Sequence, residues 1–317
     1  MAGKLERAGK WGKLRGNWAT LLLPIAPDGA IDLSGLADEI EVLIAAKVDG
    51  IYSNGTAGEC CNQTEAEFDA IQRILAEHCS RSKTPFVIGA CQPDPSLALD
   101  RLRRAVAHAP DGIQVILPDW WPVTDPEAVD FLQMAAEAAG DIPLVLYNPP
   151  HAKRVLSPAT LATVLKQVPA VVGVKLADGD ADWYAEADQH LRDWALYVPG
   201  HHLATGVQAG VAAGAFSNVA CLSPRGAQLW TEMMRTDIAG AREIEQRICE
   251  FMDMHILPFR RDHGYSNAAL DKLLAAIGNW APVGPRLRRP YRWIDAAEAE
   301  RLRPIARRMM PEIMDAR

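Results

Sequence analysis

Apolar and polar positions along this chain fall into two alternating textures. Short aliphatic and β-branched runs recur about every 20–30 residues, and each is followed by a longer stretch whose apolar positions return at helical spacing. The short runs predict strands over 18–23, 50–53, 86–89, 113–117, 144–147, 171–175, 196–198 and 215–219. The periodic stretches predict helices over 33–47, 64–78, 97–108, 126–139, 158–168, 182–192 and 207–212. Helix starts carry their own signals. Thr64 stands three residues before Glu67, so hydroxyl and carboxylate can satisfy the free backbone donors of a first turn. Ser157-Pro158 and Asp125-Pro126 each set a capping oxygen before a proline at the first helical position.

Continuous apolar strands such as Val171-Val172-Gly173-Val174 imply burial on both faces, as in a closed barrel or a doubly wound parallel sheet. A dinucleotide-binding sheet needs a glycine-rich turn after its first strand. The chain reads Pro24-Ile25-Ala26-Pro27-Asp28 there, which favours the barrel. The expected fold is therefore α/β, a (β/α)8 TIM barrel over residues 16–223. Helical texture runs from Pro224 to Met314, punctuated by Pro258, Pro282, Pro285 and Pro290, so 224–317 is expected to hold the last barrel helix and a C-terminal helical extension. Residues 1–15 are basic, with Lys4, Arg7, Lys10, Lys13 and Arg15, and lack the apolar core of a secretory signal; a disordered basic N-terminus is expected.

Composition narrows the function classes. The 317 residues carry a net charge of −7, the wrong sign for a nucleic-acid partner. No run reaches the ~20 apolar residues of a membrane helix. The six cysteines form no CxxC pair, so neither zinc nor a redox motif is indicated and reduced thiols in the cytoplasm are expected.

Candidate chemistry sits where strands end, because barrel enzymes build their sites at that rim. Leu144-Val145-Leu146 ends in Tyr147, and Val172-Gly173-Val174 ends in Lys175. Consecutive strands thus bring a phenol and an amine to one rim. A lysine deprived of water in an apolar mouth has a lowered pKa, so more of it is free amine able to attack a carbonyl. The protonated imine that results is an electron sink, and Tyr147 can move the protons. Read alone, a strand-end lysine reaching to water beside a core tyrosine is an equally good account. The segment Asn54-Gly55-Thr56-Ala57-Gly58-Glu59 after the second strand has glycines spaced to let backbone N–H groups turn toward an anion such as a carboxylate.

With these residues in place, the sequence resembles the dihydrodipicolinate synthase and N-acetylneuraminate lyase superfamily of class I Schiff-base aldolases, from about Gly16 to Arg289. Gly55-Thr56-Ala57-Gly58-Glu59 resembles its GTTGE loop, Tyr147-Asn148-Pro149-Pro150 its YNxP motif, and Val172-Gly173-Val174-Lys175 the strand bearing its imine-forming lysine. Ala177-Asp178-Gly179-Asp180 and Gly214-Ala215-Phe216-Ser217 look like the stretches that follow the lysine and border the keto-acid pocket. The resemblance implies that Lys175 forms the imine with pyruvate or a related 2-oxo acid, that Tyr147 is the acid/base, and that Gly55, Thr56, Ala57 and Phe216 belong to the substrate site, Thr56 with the Ala57 amide holding the carboxylate. It implies no cofactor beyond the lysine imine, no metal, a second substrate that is an aldehyde or sugar acid, and a homo-oligomer, dimer or tetramer.

Departures bear on the second substrate. Ala57 replaces a threonine, Pro118-Asp119-Trp120-Trp121 stands where synthases carry an interface tyrosine, Leu176 replaces an acid, and Cys221 sits near a common asparagine. After YNxP, Lys153 or Arg154 is the candidate for a carboxylate-binding arginine. These changes argue against aspartate semialdehyde and for a catabolic aldolase or a sugar-acid dehydratase. Two other readings stand beside the aldolase: a 2-keto-3-deoxy sugar acid dehydratase using the same imine, and a non-catalytic 2-oxo acid sensor.

Other motifs are set aside. Asp178, Asp180 and Asp182 begin like a calcium loop, but Trp183 takes the turn glycine's place, so a helix-start acidic cluster is preferred. His201-His202, expected at the end of the seventh strand, lacks a carboxylate to complete a metal triad; His202 is kept as a pocket candidate. Trp120-Trp121 is read by default as core packing, with an interface or pocket wall as alternatives.

Overall fold

The computed structural model describes residues 4, 5 and 9–316. Strands and helices alternate: β1 (Gly16–Thr20), α1 (Leu33–Ala45), β2 (Gly50–Ser53), α2 (Glu65–Ser82), β3 (Phe86–Gly89), α3 (Pro95–Val106), β4 (Gly112–Ile116) and α4 (Asp125–Ala139) form the first half. The second half holds β5 (Leu144–Asn148), α5 (Pro158–Leu165), β6 (Val171–Leu176), α6 (Ala181–Leu191), β7 (Ala195–Tyr197), α7 (Leu203–Gln208), β8 (Ala212–Ser217) and the short α8 (Asn218–Leu222). All pairings are parallel and β8 closes on β1, giving the predicted eight-stranded barrel. Beyond it lie α9 (Pro224–Met233), α10 (Ile238–Phe251), α11 (Leu257–His263), α12 (Asn267–Gly278), α13 (Ala296–Met309) and α14 (Pro311–Met314).

Strand alternation divides the core in two. Outward residues such as Ile51, Ile88, Leu144 and Leu146 meet the helices, whereas Trp18, Tyr52, Val87, Val145, Val172 and Tyr197 fill the barrel interior. The pairing of β5 with β6 shifts register between Leu144 and Val145, and beyond that bulge Tyr147 lies directly opposite Lys175. A bulge of this kind re-aims the residues that follow it. Gly173, just beyond it, leaves room for β7, because a Cβ there would meet the Tyr197 ring at 2.9 Å.

The sequence expectations shift in four places. Strand β1 begins at Gly16 and β8 at Ala212, because closure pairs Gly16 with Gly214, where a Cβ on Gly214 would lie 2.3 Å from the Gly16 carbonyl oxygen; glycines leave no hydrophobic signal to read. The residue capping α4 is Thr124 rather than Asp125, with the Glu127 carboxylate accepting its N–H and hydroxyl, each at 2.7 Å. Leu203–Gln208 forms α7 after a 3-10 turn, Gly200–His202, so the two histidines sit in that turn and not on a strand. The extension is not helical throughout: residues 279–295, with Pro282, Pro285 and Pro290, are irregular, since proline withholds the N–H that a helix needs.

The N-terminus also departs from expectation. Among its described residues Leu5, Trp11 and Leu14 are buried, with Trp11 and Leu14 in the cluster that fills the barrel, while Lys10, Gly12 and Lys13 are exposed. Lys4 Nζ donates to the Leu191 and Trp194 carbonyls at 3.1 and 3.2 Å, Lys10 lies 4.3 Å over the Trp194 ring, and the Tyr197 hydroxyl donates to the Leu14 carbonyl at 2.7 Å. Lys4 and Lys10, two of the basic residues that suggested disorder, thus contact carbonyls and a ring beside the apolar plugs Trp11 and Leu14. Residues 1–3 and 6–8 of that expectation lie outside the described residues.

Candidate active site

Lys175 rises from β6 into a cavity of about 250 Å³ at the barrel mouth. Its amine lies 4.3 Å from the Tyr147 ring centroid, 4.9 Å from that of Tyr52 and 5.3 Å from that of Phe216, and it donates to the Tyr52 hydroxyl at 3.3 Å. Three rings replace most of its water, and this burial pulls the amine down to about 8. Buried carbon around Tyr147 pushes its phenol up to about 12, against a hydrogen bond with Thr56 that works the other way. Tyr52 is pushed up more strongly by burial and is tied to Thr20.

Five of the six expected site residues meet here: Lys175, Tyr147, Thr56, Ala57 and Phe216 line one cavity. Gly55 does not line it. It is buried against Tyr52, whose ring a Cβ would meet at 2.8 Å, so its role is to let the loop cross an aromatic residue of the site. The loop is fixed from both ends. Gln63 Nε2 donates to the Gly58 carbonyl at 2.8 Å, and Glu59, in the left-handed region at φ 51°, forms a buried ion pair with Lys272 of α12 at 3.1 Å.

The cation candidates after YNxP are turned elsewhere. Lys153 Nζ donates to the Trp120 carbonyl at 2.7 Å, and Arg154 binds the Val123 carbonyl and Asp125. The arginine lining the Lys175 cavity is Arg260, from α11. Trp120 and Trp121 are not core residues: they stand 83% and 81% exposed on the loop after β4.

The histidine pair divides its work. His201, not His202, lines the cavity, with Asn218 Nδ2 at 2.9 Å from its Nδ1; burial holds its imidazole down to about 4, hence neutral. His202 Nδ1 sits 2.9 Å from Asp178 Oδ2, a hydrogen bond that raises it to about 10. Asp178 also accepts from the Tyr184 hydroxyl at 2.6 Å, and Asp180 caps α6, so the acidic stretch orders the loop after β6.

Sequence reading missed the contributions of the extension. Among the described residues Asp271 of α12 is the one carboxyl lining the cavity, and burial pushes it up to about 7 against the pull of the Lys175 charge. Asp271 and Arg260 look in sequence like ordinary polar positions of amphipathic helices. Tyr52 was the findable one, as an inward position of an otherwise apolar strand.

The chain is similar to known proteins along almost its full length. The sequence profile of the dihydrodipicolinate synthetase family matches residues 13–308. The 4-hydroxy-tetrahydrodipicolinate synthase of Sorangium cellulosum is 28% identical over 269 residues, covering 83% of this chain and 89% of that protein. The N-acetylneuraminate lyase of Citrobacter koseri is 23% identical over 303 residues, covering 94% and 98% respectively. The crystal structure of YagE from Escherichia coli K12, a prophage protein in complex with pyruvate, matches the fold with a TM-score of 0.81 at 22% identity, over 93% of this chain and 98% of that one. A barrel whose mouth secludes one amine among aromatic rings, matched along almost its full length, identifies the chain as an enzyme that belongs to the dihydrodipicolinate synthetase family of class I aldolases and lyases.

Proposed function

We propose that the enzyme forms or cleaves a C–C bond beside the carbonyl of pyruvate or a related 2-oxo acid, through an imine on Lys175. The observation that carries this reading is the Lys175 amine, ringed by Tyr52, Tyr147 and Phe216 and drawn down to about 8. Its neutral form attacks the ketone carbon. Tyr147, held by Thr56, gives a proton to the departing hydroxyl, so that water leaves and the iminium remains. Thr56 and the Ala57 amide take the substrate carboxylate at the loop beside Tyr147. Polar groups of the extension, Arg260 and Asn267, line the part of the cavity open to an aldehyde or sugar-acid partner. No cofactor enters this scheme. The departures at Ala57, Trp120 and Leu176 direct the reading away from aspartate semialdehyde and toward a catabolic lyase.

C–C bond chemistry is favoured over the dehydratase because the relatives are named synthase and lyase, and catalysis over the sensor because the amine stays secluded. The same reading takes the chain as a cytoplasmic homo-oligomer. Its six free cysteines and the exposed Trp120 and Trp121 support this, and no helix among the described residues is long and apolar enough to cross a membrane.

Incubation with pyruvate and borohydride is expected to add one reduced three-carbon unit at Lys175, seen by intact mass and peptide mapping. Lys175→Ala should abolish it, and Tyr147→Phe should slow it about 100-fold or more. An unmodified Lys175 in the wild type overturns the reading.

A further inference from the structure

Asp271 is a carboxyl placed with no hydrogen-bond or ion-pair partner among the described residues, in the cavity that holds the reactive amine. Helix α12 carries it there. One residue along, Lys272 is wholly buried and anchored to Glu59 and to the Leu23 and Arg286 carbonyls, which pins the helix and leaves Asp271 turned to the cavity. Helix α12 packs on α8, which packs on β1, so Asp271 enters the cavity from an element on the β1 side of the barrel. The groups that act on it or share its cavity are Lys175, Tyr147, Tyr52, Cys221, Arg260 and His201.

This inference rests on the imine reading. The methyl carbon beside the imine carbon must lose a proton to give the enamine, and Asp271 is the carboxyl lining the cavity in which that carbon would sit. We propose that Asp271 is a further catalytic residue, the base that takes the proton from that carbon and returns it. The carboxylate accepts H⁺ from the methyl group, the C–H pair becomes the C=C bond of the enamine, and the C=N π pair moves to nitrogen; reversal delivers the proton to carbon. Tyr147 is poorly suited to this step, since a phenol held near 12 is almost never ionised at neutral pH, whereas a carboxyl near 7 is about half ionised. The fixed positive charge of the iminium favours the carboxylate further.

Pyruvate alone tests this, without the second substrate. In D2O the wild type should exchange the pyruvate methyl protons, read by NMR, while hydride trapping measures imine formation. In Asp271→Asn the ratio of exchange rate to trapping rate is expected to fall about 100-fold or more, with partial recovery in Asp271→Glu, whereas Tyr147→Phe should slow both together. In the wild type that ratio should rise with pH through a single group, a limb absent from Asp271→Asn. An unchanged ratio in Asp271→Asn overturns the inference, as does a wild-type ratio without that limb, a measurement that needs no variant to fold. A wild type that traps no pyruvate overturns the imine reading itself, which separates the two failures.

Discussion

Lys175 owes its lowered pKa to its neighbours more than to its own side chain. An exposed lysine near 10.5 is neutral in only about three molecules per ten thousand at pH 7, whereas at about 8 roughly a tenth are neutral. The sign follows from which form attacks: the neutral amine does, so capture of a ketone grows as pH rises and levels off once the amine is fully deprotonated. Hydride trapping of pyruvate at saturating reductant is expected to rise about tenfold from pH 7 to 9 and then flatten, where an unperturbed lysine would rise about a hundredfold and keep climbing. Initial rates across that range check the shift directly.

The loop of residues 55–59 and helix α12 act as one unit because a charge pair joins them inside the protein. Glu59 and Lys272 meet at 3.1 Å with side chains 3% and 0% exposed. Desolvating two charges is costly, so such a pair adds little net stability, but removing one partner strands the other. Lys272→Met is expected to lower stability by about 3–5 kcal/mol, at roughly 1.5 °C per kcal/mol in a chain of this size, read by thermal unfolding. Adding Glu59→Gln should recover part of that loss, since the stranded charge is then gone too. A Lys272→Met protein with unchanged unfolding would mean the pair does not couple these elements.

The assembled barrel leaves two large indoles in water. Trp120 and Trp121 are 83% and 81% exposed, with Lys153 stacked 4.9 Å over the Trp120 ring. Adjacent exposed tryptophans are the composition of a contact surface. Light scattering is expected to find a dimer or tetramer for the wild type and a smaller species for Trp120→Ser/Trp121→Ser. A monomeric wild type would remove assembly from the proposal.

Local patterning pointed to the strands of the barrel and to Tyr147 and Lys175, which the fold brings to one cavity. Strands buried on both faces must be apolar throughout, so β5 and β6 could be read directly, and Tyr147 and Lys175 stood out as the polar residues closing them. The Thr64 and Ser157 caps were legible for a similar reason, since a capping side chain bonds within its own turn. Contacts made far along the chain were invisible in that pattern. Strand ends at Gly16 and Ala212 depend on closure between the first and last strands, the basic N-terminus hides the apolar plugs Trp11 and Leu14, and Arg260 and Asp271 join the site only because α11 and α12 fold back over the mouth. Periodicity reports which face of an element avoids water. Which distant element covers that face, and hence which amine loses its water and which carboxyl meets it, is set by packing across the folded chain.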